Sequence, residues 1–263
     1  MARLGIALSW AALVFAVAFL LMPIAIVMAV SFSPSAIFAF PPEGMSLRWY
    51  EAVGRTDTLL SAVWLSVQIA FLSTCLSLVL GTLCAIAIVR GYVPAGAAIA
   101  TFMASPLMLP GLVFGIAFLQ AARGFGLWDS YTSLLIAHVV ITMPFVMRTV
   151  LASLSLFDFT MVDAARMLGC SYPEALRKVL VPNILPGFVS AALFAFIASF
   201  DNYPVSIFLT DVRTKTLPIQ LLNQVEMSPD PTVAAASSIL ILATIVLLLV
   251  CDRLVGLRRM ASL

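Results

Sequence analysis

Six stretches of this chain are apolar for the length of a membrane crossing, and they leave it little else to become. They run from about Leu8 to Val30, Leu60 to Val89, Ala97 to Ala121, Tyr131 to Val150, Ile184 to Leu209 and Val233 to Val250. Roughly 20 helical residues cross a hydrocarbon layer about 30 Å thick. The chain is 63% hydrophobic and 10% charged, against about 25% charged for a soluble domain. So little polar surface cannot cover a fold in water, so the solvent is lipid, where a helix satisfies its own backbone. The expected fold class is an all-α membrane protein with six transmembrane helices, forming a single domain over residues 1–263.

Arg3 precedes the first run, as in a signal peptide. The run is longer than a signal core and no small-residue cleavage site follows, so it is expected to stay as a span. In the third run, Pro106 and Pro110-Gly111 interrupt the hydrogen-bond ladder, and a kink is expected. Charge sets the orientation. Arg3, Arg90, Arg148, Arg166, Arg177, Lys178, Arg253, Arg258 and Arg259 fall on the N-terminal side, and Arg48, Arg55, Arg123, Arg213 and Lys215 on the other. The excess of basic residues places both termini in the cytoplasm.

The four cysteines show no metal or disulfide spacing, and one histidine cannot build a two-histidine site. No Gly-x-x-x-x-Gly-Lys-Ser/Thr phosphate loop exists; neither Lys178 nor Lys215 follows such a pattern. No catalytic residues, metal, cofactor or nucleic-acid partner are expected, and ATP hydrolysis would have to come from another subunit.

Between the fourth and fifth runs lies a polar stretch, Asp158 to Gly187. Two short helices are expected in it. Asp158 is placed to cap the first. Met161, Ala164, Ala165 and Leu168 form one apolar stripe, and Gly169 suits a left-handed stop. Ser171 and Glu174 have the spacing of a capping box for the second helix, and Val181-Pro182 is expected to end it. A further break at Pro186-Gly187 would open the fifth span. Taken alone, composition and spacing favour an ordinary cytoplasmic loop with two amphipathic helices.

Asp163-Ala164-Ala165, Gly169, and Val179 with Val181-Pro182 resemble the EAA loop of the membrane subunits of binding-protein-dependent ABC importers. Asp163 stands where that family most often has Glu, Cys170 where Ala is usual, and Leu176 where an aromatic is common. The resemblance implies a coupling loop over 155–187 that docks on an ATP-binding subunit, with Asp163, Ala164, Ala165, Gly169, Ser171, Glu174 and Pro182 as its coupling residues. It also implies a second related permease, two ABC ATPase subunits, an extracytoplasmic solute-binding protein and a lipid setting in the bacterial inner membrane.

Phe200-Asp201-Asn202, Arg213 to Pro218, Asp230 to Ala235, Ser31-Phe32-Ser33 and Leu47 to Tyr50 are similar to the second permease of spermidine/putrescine-type importers. This implies a polyamine-like solute; close relatives carry aminophosphonates or amino-acid-like compounds. Asp201 is expected about 26 Å along a continuing fifth helix, at 1.5 Å per residue from Ile184. There it is either a charge that reaches water or, with Ser199 and Asn202, part of a cation pathway. Trp49 and Tyr50 either anchor the membrane interface or stack on an ammonium group. An ion-coupled transporter or channel is the alternative class; His138, with Thr142 on the same helical face, is its one candidate, and a bond to a neighbouring helix is the other reading of that histidine.

Overall fold

The structure is a computed structural model that describes residues 2–227 and 229–255; Arg258 and Arg259 of the charge argument lie outside them. Every regular element among the described residues is a helix. In order these are α1 (Ala2–Ser31), α2 (Arg48–Arg55), α3 (Asp57–Val89), α4 (Gly96–Met103), α5 (Gly111–Gly124), α6 (Ser130–Ser155), α7 (Thr160–Met167), α8 (Tyr172–Ala175), α9 (Val181–Phe200), α10 (Tyr203–Leu209), α11 (Leu217–Met227) and α12 (Thr232–Val255). Among the described residues, five helical stretches are long and apolar enough to cross a membrane: Leu8–Ser31, Asp57–Val89, Ser130–Ser155, Tyr172–Phe200 and Thr232–Arg253. Gly111–Gly124 is apolar but shorter.

Two expected runs are cut differently from the sequence reading. The third is interrupted completely rather than kinked. Leu109, forced out of helical geometry by Pro110, is extended (φ −85°, ψ 141°). A single 3₁₀ turn, Ser105–Met108, therefore joins α4 to the segment before α5. The fifth run breaks at Asp201–Asn202, where α9 ends and α10 begins.

Conversely, the expected stops at Val181-Pro182 and Pro186-Gly187 are absent, and helix continues from Tyr172 to Phe200. A π-helical turn, Leu176–Leu180, explains the first. The Val181 N–H bonds to the Leu176 carbonyl, which widens the helix just before the ring of Pro182 would strike the Lys178 carbonyl. The polar stretch is thus one short helix, α7, followed by the extension of a span.

The chain forms two units. The first comprises residues 1–61 and 220–247. Here α1 shows an almost wholly exposed apolar surface, with Phe15 72% and Leu20 70% exposed; in lipid such exposure carries no hydrophobic cost. The loop after α1 is tied back to α2. Trp49 Nε1 donates to the Ser33 carbonyl at 2.8 Å, Tyr50 and Ser31 hydroxyls lie 2.7 Å apart, and Phe32 packs on the Tyr50 ring at 5.3 Å.

The second unit comprises, among the described residues, 62–219 and 248–255. Its centre is α6 packed along α9, with Val146, Met147, Val150, Leu154, Ile184, Ala191 and Ala195 in the shared core. Close approach is possible because residue 187 is glycine: a Cβ there would collide with the Ser153 hydroxyl. A second cluster, Ile69, Leu134, Ala137, Ile141, Val205 and Leu209, joins α3, α6 and α10.

Candidate functional site

The polar stretch is built as a small platform. Asp158 accepts from the Thr160 N–H at 2.9 Å, one residue upstream of the cap position, which Phe159 occupies. The N–H and hydroxyl of Thr160 hold the Asp158 carboxyl below its ordinary range. α7 ends as expected: Gly169 has φ +96°, its N–H bonds to the Arg166 carbonyl at 3.0 Å, and the Cys170 N–H bonds to the Ala165 carbonyl at 3.2 Å. That pair of bonds is a Schellman closure, and only a residue without a Cβ takes the left-handed position freely.

The apolar stripe of α7 is turned unlike a simple amphipathic helix. Val162 is wholly buried and Ala165 half-buried in the core shared with α6 and α9. Met161, Ala164 and Leu168 face outward instead, joined by Met167. Met167 is 90% and Leu168 88% exposed. Exposed apolar side chains grouped on a polar segment are the kind of surface at which proteins meet partners or membranes.

Asp163 lies at the edge of this face. Its carboxylate is 3.8 Å from Arg90 at the end of α3 and 3.9 Å from Arg166. The Arg90 guanidinium also stands 5.0 Å over the Phe159 ring, and Tyr92 meets Tyr172, hydroxyl to hydroxyl, at 3.2 Å. Ser171 occupies the cap position of the next helix, but its hydroxyl makes no capping bond. The Lys178 ammonium, 2.7 Å from Glu174, holds that carboxyl below its ordinary range, and the Ser171 N–H adds to the effect. Pro182 follows the π-helical turn and is exposed.

The second group of sequence-derived residues divides. Asp201 is exposed in the turn between α9 and α10. Asn202 caps α10, accepting from the Val205 N–H at 3.1 Å. Ser199 is buried and lies 2.7 Å from Nδ1 of His138. Trp49 and Tyr50 are engaged in their own unit, and the Arg48 guanidinium already sits 4.2 Å over the Trp49 ring.

Several neighbours escaped the sequence reading. Arg90 entered only as one charge in a tally, and Tyr92 and Phe159 not at all. Ser73, Ser77 and Ser206 lie in apolar runs with no charge to single them out. Spacing was a signal only in part: Ser73 and Ser77 stand four apart on one side of α3, whereas Ser199 and Ser206 lie either side of the break at Asp201–Asn202 and share no helical period.

Comparison with known proteins adds four findings. A family model described as binding-protein-dependent transport system inner membrane component matches residues 77–258. The chain is 34% identical over 230 residues to the spermidine/putrescine transport system permease protein PotC of Haemophilus influenzae, covering 88% of this chain and 89% of that one. It is 28% identical over 206 residues to the putrescine transport system permease protein PotI of Escherichia coli K12, covering 75% and 73%. A solved bacterial ABC transporter that imports the acidic polysaccharide alginate shares the fold, with TM-score 0.75 and 17% identity over 95% of this chain and 96% of that one.

Proposed function

This chain belongs to the family of inner membrane components of binding-protein-dependent transport systems, and from that membership we propose a division of labour within it. The chain is a transmembrane permease subunit of an ABC importer. The energy enters at α7, and the solute passes elsewhere.

The observation that carries the coupling role is the outward apolar face of Met161, Ala164, Met167 and Leu168, flanked by Asp163 and closed by Gly169. An ATP-binding partner covers this face. The basic bias of the sequence supports a cytoplasmic location for it and for both termini. Two such partners, a second related permease and an extracytoplasmic binding protein complete the importer. When the ATPases close, α7 is displaced. Val162 and the Arg90–Asp163 pair carry that displacement into α6, α9 and α3 as a rigid-body motion, switching access from one side to the other. The extension of α9 back to Tyr172 supports this: motion received beside α7 enters a span without an intervening loop.

The solute is a polyamine. The support is the identity with permeases named for spermidine and putrescine and the carboxylate of Asp201, set in a helix break and suited to a cation. The test is reconstitution with the ATPase, the partner permease and the binding protein, measuring ATP-dependent uptake of labelled spermidine into proteoliposomes. Uptake is expected only with ATP. An assembled complex that imports another solute but no polyamine would overturn the substrate assignment and leave the permease role standing.

A further inference from the structure

His138, the one histidine of the chain, is buried in α6, 1% exposed. Its two ring nitrogens reach two different helices. Nδ1 lies 2.7 Å from the Ser199 hydroxyl near the end of α9, and Nε2 lies 3.0 Å from the Ser206 hydroxyl on α10. Between those serines the helix breaks at Asp201–Asn202. One imidazole therefore bridges both sides of the break.

The neighbours fix which atom donates. The Ser206 hydroxyl donates to the Asn202 carbonyl. Its single proton is used, so it accepts from Nε2, and Nε2 carries the ring proton. In the neutral ring Nδ1 is then an acceptor, and the Ser199 hydroxyl donates to it. The Ser199 oxygen accepts from the Ser73 hydroxyl of α3 at 3.0 Å. The result is one directed chain, Ser199 to His138 to Ser206 to the Asn202 carbonyl, joined at its start by the Ser73 hydroxyl, whose proton is shared between Ser199 and the Ala70 carbonyl at 3.2 Å. Asn202 is held a second time through its cap to Val205. Asp201 projects between these fixed points, exposed.

We propose that His138 is a positioning residue: its imidazole clamps the end of α9 to α10 and thereby sets where Asp201 presents its carboxylate to a cationic solute. This rests on Asp201 lying in the solute pathway, as given above.

The test uses the full complex in proteoliposomes with saturating spermidine-loaded binding protein. Ser206→Ala removes the acceptor of Nε2 and keeps the histidine. Spermidine imported per ATP hydrolysed is expected to fall several-fold, with subunit association unchanged, and to recover in Ser206→Thr. In an Asp201→Asn background, Ser206→Ala should add no further loss; an equal further loss would overturn positioning through Asp201. If Asp201→Asn alone leaves uptake unchanged, the pathway reading fails. The clamp is then judged by thiol labelling at Asp201→Cys with the four native cysteines replaced. Ser206→Ala should change that labelling rate several-fold, and an unchanged rate would overturn the clamp. A measurement on the unaltered chain covers failed assembly. The ¹⁵N-imidazole resonance that disappears in His138→Gln should show a bare Nδ1 and a protonated Nε2; the opposite tautomer would overturn the proposal.

Discussion

The Arg90 guanidinium and the Asp163 carboxylate, 3.8 Å apart, join the end of α3 to the outward face of α7. Arg90 is mostly sheltered, its side chain 21% exposed, while that of Asp163 is half exposed. The pair is long for a salt bridge, and partly exposed pairs contribute only about 0.2–1 kcal/mol. The guanidinium over Phe159 adds roughly 0.5–1 kcal/mol. Arg90→Gln is therefore expected to loosen α7 without unfolding the chain. Uptake should fall about tenfold while the ATPase still co-purifies. Uptake at the level of the unaltered protein would show that α3 takes no part in coupling.

Gly169 sits at φ +96°, a conformation that costs a β-branched residue on the order of 1–3 kcal/mol. Nothing lies within 4 Å of the site a Cβ would occupy, so the penalty is in the backbone alone. Gly169→Val should insert and assemble with normal yield but lose the Schellman closure and with it ATP-driven uptake. Gly169→Asn, which tolerates the left-handed region better, should keep a measurable part. Equal activity of the two variants would detach the turn from coupling.

At the crossing of α6 and α9 the constraint is space. Gly187→Ala forces a methyl group onto the Ser153 hydroxyl, and overpacking of this kind costs about 1–3 kcal/mol. The variant should unfold at lower temperature in detergent, and Ser153→Gly in the same chain should restore most of the loss. No rescue would mean that the helices do not cross at this point.

The loop after α10 is folded around Asp211. Its carboxylate accepts from the Arg213 and Thr214 N–H groups at 2.7 and 2.8 Å. The Thr214 hydroxyl and then these N–H groups hold it down to about 2, from an ordinary 3.8. A depressed carboxyl stabilises the folded loop above the ordinary value and loses that contribution as pH falls through the depressed one. Pepsin cleavage within 210–216 should rise as pH drops from about 4 to about 2, and in Asp211→Asn it should be high throughout. Cleavage that is flat with pH in the unaltered chain would contradict this.

Length and apolarity made the spans legible in the sequence, because a run of apolar residues long enough to cross hydrocarbon has few other uses. The prolines were not legible in the same way. Pro106 and Pro110 open the helix, whereas Pro182 and Pro186 do not. The difference at Pro182 is a π-helical turn that relieves the clash, and spacing alone does not reveal it. The stripe of α7 was found by its period, but a period does not say which way a stripe faces. Val162, outside the stripe, is the residue that anchors the helix, and the stripe itself is left outward. Gly169 was read correctly because its left-handed turn is a local property. The Arg90 contacts and the particular partners of His138 depend on residues dozens of positions apart; the sequence offered a bond from His138 to a neighbouring helix as one reading, but not which serines it meets.

Coverage of the outward face of α7 by an ATP-binding partner is open to direct test. Leu168, 88% exposed there, makes the most direct probe, because changing it disturbs no packing within the chain. Leu168→Asp should express and insert as the unaltered protein does. Purified through the permease, its complex should lose most of its ATPase subunit and its ATP-dependent uptake. A Leu168→Asp complex that retains both the ATPase and full uptake would show that the ATPase does not sit on this face.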